Sequence, residues 1–134
     1  MFLALGDTRF DITTRALVMG ILNRTPDSFF VGGRYWGVDD FLRKAEGLVD
    51  DGADFLDVGG VKAGPGPEVT PAEKIDRVVP AIEALRARFD LPISVDTFRA
   101  SVLDAALSAG ASVGNDISGF ADPGYLPTAA AHGA

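Results

Sequence analysis

The chain has 134 residues, 47% of them hydrophobic and 23% charged, with a formal net charge of -7 at pH 7. That is the size and make-up of one globular domain with its own core, and its acidity excludes the basic surface that nonspecific nucleic-acid binding needs. The absence of Cys and the single His, His132, exclude disulfides, thiol catalysis and a Cys- or His-clustered zinc. No apolar run approaches the ~20 residues of a membrane span. No basic-then-apolar leader opens the chain, so the expected setting is the cytoplasm, away from membranes and nucleic acid.

In chain order, "FLALGDTRFDI" reads as a small hairpin with Gly6 and Asp7 near its turn. "RALVMGIL" (15–22) is an apolar strand that stops abruptly at Asn23. Residues 38–53 place Phe41, Leu42, Ala45, Leu48 and Val49 at helical spacing, with Gly52 as the stop. "DFLDVGG" (54–60) is a short strand ending in glycines. Residues 70–89 open with Thr70 as N-cap, Pro71 at the first helical position and Glu73 three residues after the cap, a capping box. Pro80 lies inside that helical pattern, where a kink is expected. "LPISVDT" (91–97) is the next strand, "RASVLDAALSAGA" (99–111) a helix stopped by Gly110, and "SVGNDISG" (112–119) a strand with its loop. Residues 123–134 form the last helix.

Strand and helix therefore alternate four times, which implies an α/β fold with a parallel sheet and helices outside it. A doubly wound sheet would carry a glycine-rich phosphate loop after its first strand. Here that strand runs into "NRTPDSFF" instead. Every strand ends in polar residues: Asn23, Asp57, Asp96 with Thr97, and Asn115 with Asp116. Polar residues at the carboxyl ends of many strands are the pattern of a (β/α)₈ barrel, which takes about 250 residues when whole. The expected architecture is thus the N-terminal half of a TIM barrel, four βα units preceded by a β-hairpin. Such a half leaves two strand edges unpaired, so a homodimer, aggregation or a larger chain is expected.

Asp96 follows an apolar strand and sits at the lip of a dry interior, where a carboxylate needs partners. It either caps the following helix or, with Asn115 beside it, reads a flat heterocycle carrying amide and amino groups. Asn23 offers an oxygen to a hard cation such as Mg²⁺, or else satisfies its own turn. Asp57 reads as an inward carboxylate holding neighbouring backbone, and His132 as a helix-end residue favourable to the dipole.

"MGILNRTPDSF" (19–29), "DVGG" (57–60) followed by Pro65 and Gly66, "ISVDT" (93–97) and "NDISG" (115–119) stand in the order and spacing of the pterin-binding family. Together they resemble its dihydropteroate synthases over nearly the whole chain. The resemblance implies one pterin-binding domain over residues 1–134, incomplete as it stands. It implies a transferase of folate biosynthesis that condenses 6-hydroxymethyl-7,8-dihydropterin pyrophosphate with p-aminobenzoate. Asp96 and Asn115 match the pterin-binding pair, Asn23 the Asn associated with Mg²⁺ and pyrophosphate, Phe29 the aromatic of the first loop, and Pro65 the proline of the second. Pyrophosphate departure leaves an electron-deficient pterin methylene, which the aniline nitrogen attacks; the protein positions and stabilises charge.

Several positions depart from the family pattern. Val31 stands where an Asp usually precedes the Gly pair, and Arg24 where a small apolar residue is usual. "VKAGPG" (61–66) replaces Glu-Ser-Thr-Arg-Pro-Gly, so Lys62, Ala63 and Gly64 supply neither the hydroxyls nor the bidentate guanidinium of that loop. "VKAGPG" together with "NRTPDSF" resembles a divergent second-copy branch of the family. Two alternatives stay open: a catalytically inactive pterin-binding paralogue or truncated module, and a pterin-dependent methyltransferase domain.

Overall fold

A computed structural model describes residues 1–23, 36–59 and 68–134. The hairpin is β1 (Phe2–Leu5) and β2 (Thr8–Asp11), antiparallel with Leu5 opposite Thr8. Gly6 takes φ +59°, the conformation that a two-residue hairpin loop demands at its first position. A Cβ on Gly6 would lie 2.6 Å from the Cβ of Ser112, so the hairpin tip packs closely against the start of the last strand.

The four units follow as expected: β3 (Met19–Asn23), α1 (Trp36–Asp50), β4 (Phe55–Gly59), α2 (Pro71–Arg86), β5 (Ile93–Asp96), α3 (Ala100–Ala109), β6 (Val113–Asn115) and α4 (Tyr125–His132). The sheet is parallel in the order β3-β4-β5-β6. The first strand begins four residues later than its apolar run, because residues 15–18 approach the sheet rather than join it. There Arg15 bonds Asp54, and the Val18 amide donates to the same carboxylate.

Local chemistry explains the helix ends. The Thr70 hydroxyl accepts from the Glu73 amide, and the Glu73 carboxylate accepts from the Thr70 amide. Helix α2 continues through Pro80, and Gly52 and Gly110 end α1 and α3 at positive φ. The first amide of α3 is served from a distance: Ala100 N–H donates to Asp122, 22 residues on. Asp122 also accepts from Gly124, and these two bonds lower its pKa.

Register sorts the strand residues onto two faces. Leu22, Val58, Val95 and Gly114 form one cross-sheet row, with Leu56 and Ile93 on the same face. The five apolar side chains of this face are fully buried against helices that supply Phe41, Ala45, Val78, Ile82, Leu85, Val102, Leu103 and Ala106. Each such side chain contributes roughly 1.5–3 kcal/mol, and this layer is the core. The opposite face carries Met19 and Ile21, 37% and 51% exposed. Among the described residues no helix is long and apolar enough to cross a membrane.

Candidate functional site

The parallel register brings the strand-end residues together. Asn23 pairs with Gly59, Gly59 with Asp96, and Asp96 with Asn115. These four positions form a row across the carboxyl edge of the sheet, on the face turned away from the helices. One row down on that face lie Ile21, Asp57, Ser94 and Val113.

Asp57 anchors the row from below. Buried, it accepts a 2.6 Å hydrogen bond from the Ser94 hydroxyl and a 3.3 Å bond from Asn115 Nδ2. The expectation that it holds neighbouring backbone is corrected: it holds two side chains on β5 and β6, because the two-residue alternation puts Asp57, Ser94 and Asn115 on one face. Asn115 is thereby oriented, its amide nitrogen tied down.

Asp96 is not the cap of the following helix. The Arg99 amide donates to Thr97 and the Ala100 amide to Asp122, so the start of α3 has other acceptors. Among the described residues no hydrogen bond reaches the Asp96 carboxylate. Burial raises its pKa, the charge of Lys74 opposes this, and Asp57 and Asp116 push it further up. A half-buried carboxylate with free acceptor lone pairs is matched to a ligand carrying ring N–H and amino donors.

Asn23 lies on the other side of Gly59. A Cβ at Gly59 would stand 2.8 Å from Asn23 Oδ1 and 3.8 Å from Asp96 Oδ2. The glycine is therefore the space into which the Asn23 amide oxygen leans, beside Asp96. One amide oxygen fits a divalent cation that takes its remaining ligands from phosphate and water. No cluster of three or more His, Cys, Asp or Glu suited to a metal occurs among the described residues.

Asp116, next to Asn115, builds its loop instead of facing the row. It accepts from Ser118 and Phe120 amides and the Ser118 hydroxyl. Burial raises its pKa, but these bonds outweigh it and the net shift is downward. They hold Phe120 at φ +61°, its ring 5.7 Å from that of Tyr125. His132 pairs with Asp104 at 2.8 Å, joining α4 to α3. Phe29 and Pro65 lie outside the described residues, as do Arg24, Val31 and Lys62–Gly64.

Two residues at this rim were missed from the sequence. Lys74 in the first turn of α2 is buried, only 9% exposed. Its signal was available: it extends the inward stripe Val78, Ala81, Ile82, Leu85 by one turn. Tyr125 is 1% exposed and its hydroxyl has no hydrogen-bond partner among the described residues. A cavity of about 350 Å³ lies at the opposite end of the strands, bordered by Gly6, Arg86, Asp90, Ser112 and His132. Asn23, Asp96 and Asn115 do not border it.

Residues 19–134 match the model of the family described as pterin binding enzyme. The chain belongs to that family. It is 49% identical over 120 residues to the dihydropteroate synthase of Bacillus subtilis strain 168, an alignment covering 88% of this chain and 42% of that protein. The structure of 7,8-dihydropteroate synthase from Vibrio fischeri superposes with a TM-score of 0.85 at 43% identity, over 98% of this chain and 47% of the other. That of the Xanthomonas albilineans dihydropteroate synthase with 4-aminobenzoic acid gives 0.82 at 40% identity, over 97% and 48%. The chain spans less than half the length of these family members. Its four βα units are half of their (β/α)₈ barrel, as the alternation of elements predicts.

Proposed function

We propose that this chain forms the pterin-reading side of a dihydropteroate synthase site, in a protein that joins 6-hydroxymethyl-7,8-dihydropterin pyrophosphate to p-aminobenzoate. The row Asn23, Gly59, Asp96, Asn115 carries the reading. Asp96 accepts from the donor edge of the pterin, and Asn115, held by Asp57, presents its amide oxygen beside it. Asn23 leans toward the leaving pyrophosphate, where a bound Mg²⁺ would neutralise departing charge. The C–O bond to pyrophosphate breaks, the aniline nitrogen forms the new C–N bond, and its proton passes to solvent. By the family resemblance, Phe29 and Pro65 are assigned to the p-aminobenzoate pocket. The 4-aminobenzoic acid held by the Xanthomonas relative supports that partner.

The β3 and β6 edges of the four-stranded sheet and the exposed Met19 and Ile21 support pairing with a second copy where no further strands close the barrel. Sedimentation at micromolar concentration tests this, and a cooperative monomer would remove the dimer.

The test of the site is titration with pterin pyrophosphate and Mg²⁺, wild type against Asp96→Ala, with pyrophosphate release followed in parallel. A loss of tenfold or more in affinity, about 1.4 kcal/mol, is expected from Asp96→Ala. Equal affinities would remove Asp96 from the site. The altered "VKAGPG" segment favours a second reading, a pterin binder without turnover. Tight binding with no pyrophosphate release would establish that reading.

A further inference from the structure

We propose that Lys74 is a positioning residue of this site, the counter-charge that holds the Asp57 and Asp96 carboxylates in place for the pterin. The proposal rests on the pterin reading above. Lysine is almost never buried without a partner, yet Lys74 is only 9% exposed. The capping box at Thr70 and Glu73 fixes the first turn of α2, and the stripe through Val78, Ala81, Ile82 and Leu85 turns Lys74 toward the sheet. It lies one turn before Val78, in the first turn of the helix that the chain enters after leaving the carboxyl end of β4, the strand that carries Asp57 and pairs with the strand of Asp96.

Those two carboxylates occupy one face of adjacent strands. Like charges this close repel each other, and Asp96 has no hydrogen-bond donor of its own among the described residues. The Lys74 ammonium, carried on a long stem from the helix side at the carboxyl rim of the sheet, supplies the opposite charge that offsets that repulsion. It makes no ion pair or hydrogen bond with a described carboxylate, so it acts through space and does not occupy the acceptor positions of Asp96. Coupling is reciprocal: burial lowers the Lys74 pKa while Asp96 and then Asp57 raise it, and Lys74 in turn lowers that of Asp96. Asp57 is also the acceptor that orients Asn115, so one cation supports both members of the pterin-reading pair.

The test is a double-mutant cycle read as the dissociation constant for the pterin pyrophosphate with Mg²⁺, in the full-length protein. Lys74→Met keeps the apolar stem and removes the charge, and is expected to weaken binding about tenfold, a factor within the range of coupling for contacting groups. Lys74→Arg restores the charge and is expected to recover most of that affinity. In an Asp96→Asn background, Lys74→Met is expected to cost less, about threefold, the part that acts through Asp57 and Asn115. Wild-type binding by Lys74→Met, no recovery with arginine, or the same loss in the Asp96→Asn background would each overturn the proposal. If Lys74→Met does not fold, Lys74→Gln makes the same neutralisation with a polar tip. The two readings fail differently: Asp96→Asn binding like wild type sinks the pterin reading and this proposal with it. A normal loss in Asp96→Asn with no effect at Lys74 sinks only the role of the lysine.

Discussion

At the amino end of the strands, Arg86 bonds Gly110 O through Nε and Nη2 at 3.1 and 2.8 Å, and the Phe89 and Leu91 carbonyls through Nη1 at 3.3 and 3.2 Å. At the carboxyl end, among the described residues, the Asp96 carboxylate has no donor, the Lys74 ammonium no ion pair and the Tyr125 hydroxyl no partner. The amino end also holds the Arg15–Asp54 pair at 2.7 Å and the hairpin tip against Ser112. The amino end closes these polar groups on each other; the carboxyl end, beside the bonded Asp57, Ser94 and Asn115, leaves Asp96, Lys74 and Tyr125 open among the described residues. Satisfied groups lock a fold, whereas unsatisfied groups in a partly buried place are held ready for a ligand.

The sharpest way to break this contrast is Arg86→Ala. Removal strips partners from three carbonyls at the α2–α3 junction, and each lost bond costs ~1 kcal/mol with a further penalty where the acceptor stays dry. A loss of about 3 kcal/mol in urea unfolding is expected, with pterin affinity of the folded protein unchanged. A loss below ~1 kcal/mol would mean that the amino end is not where stability is concentrated.

Asp54→Asn sharpens the same side through pH. The hydrogen bond from Arg15 first, and that from the Val18 amide second, bring the Asp54 pKa down to about 2. A depressed folded-state pKa stabilises above the unfolded value, near 3.9, and that stability is lost as pH falls toward 2. At pH 6 the Asn variant is expected to melt roughly 4 °C below wild type, and the two curves should converge near pH 2. Parallel curves down to pH 2 would show that the pair contributes nothing that depends on ionisation.

The two ends were not equally legible in the sequence. Glycine stops, the Thr70–Glu73 capping box and the alternation of strand with helix are local signals, and each reads off a few adjacent residues. Asp96, Asn115 and Asn23 were legible as polar residues ending apolar runs, but their alignment in one row depends on strand register. Register also decides what Asp57 does: alone it looks like a backbone anchor, whereas pairing puts Ser94 and Asn115 within its reach. Asp122 could not be read as the acceptor for Ala100, because a cap supplied from 22 residues away leaves no spacing to recognise. Lys74 was hidden by its type, since a lysine in a helix reads as solvated unless the apolar stripe is followed through it.

The smallest expected effect is at Tyr125, and its sign is what informs. The hydroxyl is packed against Gly114, where an added Cβ would meet it at 2.7 Å. Burial first, then the charges of Asp116, Asp96 and Asp57, push its pKa up to about 12, so it stays a neutral O–H at any working pH. A buried O–H with no acceptor costs ~1–3 kcal/mol relative to one that is paired, while removing it altogether can be neutral or favourable. Tyr125→Phe is therefore expected to leave the melting temperature unchanged or raise it by a few degrees, the reverse of Arg86→Ala. A drop corresponding to 1 kcal/mol or more, ~3–5 °C for a chain of this size, would mean that the hydroxyl is paired in solution. The contrast between the two ends would then narrow to Asp96 and Lys74, the two groups with charges of opposite sign.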